Sequence, residues 1–261
     1  ANILINLGEG LTNESGATVR KVSDTEIEGS KLLGTFCYNS QAVFPIYFVM
    51  RVNKAPSSCG YWKKQRPMTA EAAWDPDQGK YKLDTRYARE ISGDDIGFWF
   101  TYDNVDENEQ IMVQVGVSFV SCENARMNLE AEQTGFNFDK VRANAVARWN
   151  SDLSRIKVEG SSLRQKEVFY TALYHALIHP NILNDVNGEF PVMEFTGDGK
   201  TLGNTKAARY DTGKPGIGKV EPGHNRYTVF SLWDTYRNVH QLMTLVYPER
   251  QLDMVRSMIS M

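Results

Sequence analysis

Cysteine is scarce, charge is balanced and no apolar run is long, and each shortage removes a class of function. Three cysteines in 261 residues, Cys37, Cys59 and Cys122, show no metal-ligand spacing. Their odd number excludes a complete disulfide framework, so at most one bridge can form. The longest apolar runs, such as Ala42 to Met50, fall far short of the about 20 residues that a membrane-spanning helix needs. Lysine and arginine number 29 against 32 aspartates and glutamates, a net charge of -3, which leaves no electrostatic footprint for nucleic acid. No glycine loop suited to nucleotide phosphates is present, and Ser231 lacks the glycines of a nucleophile elbow. What remains is an ordinary globular composition, 41% hydrophobic and 23% charged, with ample material for one large core or two smaller ones.

The first part of the chain is β-rich. Ile3 to Leu7, Thr18 to Val22, Glu26 to Leu33, Ala42 to Val52, Ile96 to Thr101 and Ile111 to Val120 are apolar or alternating runs separated by Gly, Asn, Ser and Asp clusters. Such a series without intervening helices predicts an antiparallel sandwich rather than a doubly wound sheet. The polar stretch from Asn53 to Ser92 reads as loop with a hairpin. At Ser121 the pattern changes. Ser121 caps a helix through Ala125, Met127, Leu129 and Ala131, which Thr134-Gly135 ends. Asn137 opens a second helix with Val141, Ala145, Trp149 and Leu153 at four-residue steps, and Ser162 caps a third that Pro180 stops. Strands first and helices afterwards predict segregated layers: a β domain over 1–120, a helical linker over 121–160 and the start of an all-α domain over 161–261. The chain starts in a strand and stops inside an amphipathic helix, with no leader-like n-region and no helix terminator, which reads as an internal piece of a larger protein.

Chemistry concentrates in Tyr227-Thr-Val-Phe-Ser-Leu-Trp-Asp-Thr-Tyr-Arg-Asn-Val-His240. An aspartate and an arginine among large aromatics are costly unless the charges are paired or hydrogen-bonded. The same combination makes a surface for a sugar, with rings to stack on and an acceptor for hydroxyls. Treated as one helix, Leu232, Tyr236, Val239, Leu242, Met243 and Val246 share an arc, and Asp234, Arg237, Gln241 and Thr244 lie opposite. That pattern also fits a plain core-facing helix with a solvated back carrying an Asp-Arg pair. Asp185, Asn187 and Glu189 resemble part of a calcium loop, but the distal bidentate glutamate is missing and Asn187-Gly188 predicts a hairpin turn. His175 and His179 stand four apart without the intervening glutamate of a zinc peptidase or a third ligand, and they read as packing or capping residues. The Gly- and Lys-rich segment from Gly197 to Gly223 reads as an exposed flap.

Three segments together resemble glycoside hydrolase family 92 exo-α-mannosidases: Trp149-Asn-Ser-Asp-Leu-Ser-Arg-Ile-Lys-Val-Glu-Gly160; Glu167-Val-Phe-Tyr-Thr-Ala-Leu-Tyr-His-Ala-Leu-Ile-His-Pro-Asn181 with Asp185-Val-Asn-Gly-Glu189; and Tyr227 to Arg237 with its Ser-Leu-Trp-Asp-Thr-Tyr-Arg string. Their order and spacing match as well. The resemblance is strong from about residue 110 onward and rests on strand pattern alone before it.

That resemblance implies an antiparallel β-supersandwich, a helical linker and the beginning of an (α/α)6 toroid. It also implies a calcium-dependent, inverting hydrolase that removes terminal α-mannosyl residues from glycans, in a periplasmic, cell-surface or secreted location. The family's acid and base carboxylates and its calcium ligands are expected beyond Met261, and a pocket-closing aromatic loop before Ala1. No catalytic residue and no metal ligand is therefore assigned in this chain. Asp234 matches the aspartate that binds mannose hydroxyls, Thr235 the position beside it, and Trp233 the aromatic of the same motif. With Arg237, Trp233 also holds that helix end in place. The sequence departs from the family at Gln241, where proline is common, and in the length of the flap. Two other classes compete: a sandwich-plus-toroid glycosidase or phosphorylase of another family, and a non-catalytic carbohydrate-binding protein.

Overall fold

The computed structural model describes residues 1–8, 14–34, 43–63, 90–93, 95–160, 162–192, 216–228 and 230–260. The chain divides into two compact units, Ala1–Phe136 with Val192–Gly216, and Asn137–Pro191 with Ile217–Met261.

The first unit is built on two antiparallel sheets. One has the order β1 (Asn2–Asn6), β7 (Ile96–Thr101), β5 (Ser58–Lys63). The other has the order β6 (Glu90–Gly93), β2 (Glu14–Lys21), β3 (Glu26–Gly34), β4 (Val43–Val52), β8 (Val113–Ser118). Alternation of side chains explains how the strands are used. Val19, Ile27, Met50 and Val52 of the larger sheet pack with Tyr61, Ile96, Phe98 and Phe100 of the smaller one in a single core. Phe98 meets both Tyr61 and Phe100 edge-on at 5.0 Å between ring centroids. The Tyr61 hydroxyl is satisfied by accepting from the Lys21 backbone N–H at 2.9 Å.

The stretch from Asn53 to Ser92, read as loop with a hairpin, contributes the strand β5, whose partner β7 lies outside that stretch. Its alternating Cys59 and Tyr61 reach the core, and pairing to β7 supplies its hydrogen bonds. Residues 64–89 of that stretch, residues 197–215 of the flap, and Cys37 lie outside the described residues. Cys59 and Cys122 are free thiols.

The other face of the larger sheet carries the helix α1 (Cys122–Glu132), capped as expected by Ser121 accepting from the Asn124 N–H. Ala125 and Leu129 pack on Val49. Gly116 of β8 makes this approach possible, since a Cβ there would lie 2.3 Å from the Ala125 carbonyl oxygen and 2.7 Å from Leu129 Cβ. Beside this seam lies an ion cluster. Arg126 of α1 bonds both Glu26 and Glu28 at 2.7 Å; Arg51 also holds Glu26, and Arg20 also holds Glu28. Burial alone would raise both carboxyls. The guanidinium hydrogen bonds outweigh it and hold both below the usual carboxylate range.

The second unit is mostly helical: α2 (Phe138–Leu153), α3 (Leu163–Ala176), α4 (Leu232–Thr235), α5 (Val239–Val246) and α6 (Pro248–Ile259). Ser162 and Gln165 form a reciprocal capping box at the start of α3. Two short ribbons precede α4. β9 (Asn181–Ile182) pairs with β12 (Tyr227–Thr228), and β10 (Glu189–Val192) with β11 (Gly216–Lys219). The core gathers Leu173, Tyr227, Phe230, Met243, Tyr247 and Met254. Tyr247 is fully buried and donates to the Asp152 carbonyl at 3.0 Å, and the Arg155 and Arg250 guanidiniums lie 4.8 and 5.4 Å from its ring centroid.

Candidate functional site

The path to the Trp-Asp-Thr-Tyr-Arg motif starts at α6, where the Ser257 hydroxyl accepts from the Tyr227 backbone N–H at 2.9 Å. Tyr227 and Phe230 are buried in the second core. The chain then turns abruptly at Ser231, whose φ of 37° is left-handed, a conformation rare for a side-chain-bearing residue and frequent at functional turns. From there it makes a single helical turn, α4, through Leu232, Trp233, Asp234 and Thr235.

A continuous helix through this motif does not form, which corrects the wheel read from the sequence. Tyr236 still closes the α4 turn onto the Leu232 carbonyl, but the helix is broken at Asn238, whose φ is -137°, and restarts as α5. Leu232 and Tyr236 do not join the core arc, and each is 55% exposed. Met243 is buried, with Val239, Leu242 and Val246 packed beside it. The expected partnership of Asp234 with Arg237 gives way to other contacts. The Asp234 carboxylate accepts from the Ser231 hydroxyl at 2.5 Å, and Arg237 donates to the Tyr236 hydroxyl at 3.1 Å. Trp233 is 87% exposed, so it does not wedge the turn against the described residues.

The three residues singled out from the sequence thus occupy one turn with different exposures. Trp233 and Asp234 face outward and Thr235 faces inward. The Thr235 hydroxyl lies 3.0 Å from His240 Nε2, and His240 Nδ1 lies 3.1 Å from Gln251 Oε1. The sequence reading passed over Ser231 and His240 as site residues. Serine three positions before an acid is a capping-box spacing, and that signal was available; the reach of Thr235 to His240 was not.

The hairpin at 185–189 is a turn, as its Asn-Gly pair implied. Asp185 N–H donates to the Glu189 carbonyl, Gly188 N–H to the Asp185 carbonyl, and Gly188 has a φ of 84°. His175 lies against the Tyr174 ring at 5.6 Å between centroids. Among the described residues no group of three or more His, Cys, Asp or Glu side chains could hold a metal ion. No described helix is long and apolar enough to cross a membrane.

Comparison with known proteins bears on both units. The glycosyl hydrolase family 92 N-terminal domain matches residues 1–118, and the glycosyl hydrolase family 92 catalytic domain matches residues 124–261. The chain belongs to glycosyl hydrolase family 92. A family 92 α-mannosidase from Bacteroides thetaiotaomicron superposes with a TM-score of 0.76 at 26% identity, over 99% of this chain and 30% of that one. The same mannosidase has been solved in complex with mannoimidazole. A family 92 inverting mannosidase from the same organism has a TM-score of 0.69 at 21% identity, over 94% of this chain and 28% of its own, a likeness of fold. A protein of Arthroderma benhamiae called an uncharacterized secreted glycosidase is 30% identical over 89 residues, 33% of this chain and 11% of its length. The chain therefore spans less than a third of the length of these relatives. The antiparallel sheets followed by helices are the family 92 order, and the α4 turn lies within the catalytic-domain match.

Proposed function

We propose that this chain is part of an exo-α-mannosidase that removes terminal α-mannosyl residues from glycans with inversion, assisted by calcium. The observation that carries the reading is the α4 turn, which displays an exposed indole beside a carboxylate whose geometry Ser231 fixes. An ionised aspartate offers only acceptors, matched to the paired hydroxyls of a hexose, and an indole face suits the apolar face of a pyranose. Asp234 binds mannose hydroxyls, Trp233 flanks the ring, and Thr235 sets the turn. Family membership and the mannoimidazole complex of a relative 26% identical support the α-mannosyl class.

Inversion requires an acid to protonate the leaving oxygen and a base to activate water, with carboxyls about 6.5–9.5 Å apart. We assign this pair, and the calcium ligands, to the portion of the enzyme outside this chain. Among the described residues no group of three or more His, Cys, Asp or Glu side chains could hold the ion. In this reading residues 1–120 are part of the β-supersandwich, 121–160 link it to the catalytic domain, and 161–261 begin the (α/α)6 toroid. An exported enzyme suits glycan substrates, and one relative is called secreted.

The test is direct. The isolated 261 residues release no mannose from α-mannosides with or without calcium, while the whole enzyme does. Asp234→Asn in the whole enzyme lowers kcat/KM by about 10- to 100-fold, the range for losing a charged hydrogen-bonding partner. Mannose release by the isolated chain overturns the placement of the acid and base, and an unaltered Asp234→Asn enzyme overturns the role of Asp234.

A further inference from the structure

We propose that His240, held by Gln251, is a positioning residue for the sugar-binding turn, acting through Thr235. The inference rests on the assignment of Asp234 to mannose and goes beyond it by identifying what keeps Asp234 in place.

The α4 turn has few means of holding itself. It is four residues long, it receives no side-chain cap, and it departs from a left-handed serine. A single helical turn is unstable alone, because fixing its backbone dihedrals yields too few hydrogen bonds. Leu232, Trp233 and Asp234 are all exposed, and only Thr235, at 7% exposure, is buried. Thr235 is thus the one point at which the turn enters the packed interior. Its hydroxyl meets His240 Nε2 at 3.0 Å, and His240 Nδ1 meets Gln251 Oε1 at 3.1 Å. An amide oxygen only accepts, so Nδ1 carries the imidazole proton. In the neutral ring Nε2 then accepts from the Thr235 hydroxyl. The ring is gripped on both sides and its tautomer is set by the far partner, as in orienting chains behind metal-ligand and catalytic histidines.

The chain of bonds runs from α4 through α5 to α6, and α6 is the firm end. Met254 and Ser257 are 2% exposed, and Ser257 also ties down Tyr227 at the start of the same segment. On the outward side the carboxylate is clasped by Ser231. Asp234 is therefore fixed twice, its side chain by Ser231 and its backbone through Thr235, His240 and Gln251. Loosening the inner brace lets the carboxylate sample positions away from the sugar hydroxyls, which lowers affinity without removing any sugar contact.

The experiment uses the whole enzyme, with mannoimidazole as the competitive ligand and a chromogenic α-mannoside as substrate. Gln251→Leu and His240→Ala each weaken mannoimidazole binding about five- to tenfold, the effect of one or two lost neutral hydrogen bonds. Gln251→Glu, which retains the acceptor, returns most of the affinity lost in Gln251→Leu. In the Asp234→Asn background the same changes add less than about twofold, because the group they position is already gone. A residue that only stabilises the fold would lower the melting temperature without this coupling. If His240→Ala does not fold, Gln251→Leu and Thr235→Val carry the comparison. Wild-type affinity in the brace variants, or losses that simply multiply with Asp234→Asn, overturn the brace while leaving Asp234 in its role. Unchanged affinity in Asp234→Asn overturns the assignment of Asp234, and this inference with it.

Discussion

Arg126→Met is expected to destabilise the first unit by about 2 kcal/mol at neutral pH, and the loss should fade as the pH falls. Arg126 bonds Glu26 and Glu28 at once, and the two carboxylates are only 12% and 8% exposed. Deleting one partner of a buried ion pair costs about 3–5 kcal/mol, because a charge is stranded away from water. The figure is smaller here because Glu26 keeps Arg51, Glu28 keeps Arg20, and Arg126 itself is 28% exposed. Methionine retains the aliphatic stem, which confines the change to the charge. In the folded protein both carboxyls sit below their ordinary value of 4.5. They therefore contribute stability that is full above that value and is lost as pH falls through the depressed folded values. In Arg126→Met the carboxyls are less depressed, so acidification takes less from the variant than from the wild type. The two stabilities converge as the pH falls through the depressed folded values. Urea unfolding followed by tryptophan fluorescence reads this as a midpoint shift of about 1 M at pH 7, given slopes of about 1–3 kcal/mol/M. A destabilisation that stays constant from pH 7 down through the acid unfolding of the wild type would refute the electrostatic account and leave packing as the cause.

Two further outcomes follow from the same seam. Gly116→Ala should cost about 1–3 kcal/mol, because the new methyl meets backbone and Leu129 rather than a flexible side-chain end; a urea midpoint equal to wild type would show that α1 stands further from β8. The Cys122 thiol, pushed up to about 11 by burial and then by Glu28, should resist alkylation at pH 8 in the native protein and react readily in denaturant. Thiol titration with and without urea checks it, and prompt native labelling at Cys122 would contradict it.

The legibility of this protein in its sequence differs between elements for physical reasons. β3 and β4 are readable because alternation places Ile27 and Met50 on the face toward the smaller sheet and Glu28 and Val49 on the face toward α1, a period that no helix shares. The caps at Ser121 and Ser162 are equally plain, since the donors they satisfy lie within the same turn. β5 is obscure because its hydrogen bonds come from β7, whose residues lie 33 positions (Lys63 with Ile96) to 43 positions (Ser58 with Thr101) further along the chain. Asp234, Thr235 and Trp233 stand out by residue type, but their wheel failed. It assumed one helix through Asn238, where the backbone breaks between α4 and α5.

The amino-acid order by itself determined the sequence of layers, the helix starts and the motif, because periodicity, capping and turn chemistry act over a few residues. It also marked the chain as resembling family 92. Only the tertiary structure decided which way the motif's side chains point. Packing on α5 and α6 buries Thr235 and leaves Trp233 and Asp234 outward. Hydrogen bonds from Thr235 to His240, and from His240 to Gln251, join residues five and eleven positions apart. In one continuous helix, residues five apart point about 140° away from each other and residues eleven apart lie about 16 Å apart along the axis, so only the break between α4 and α5 and the return of the chain in α6 bring those groups together.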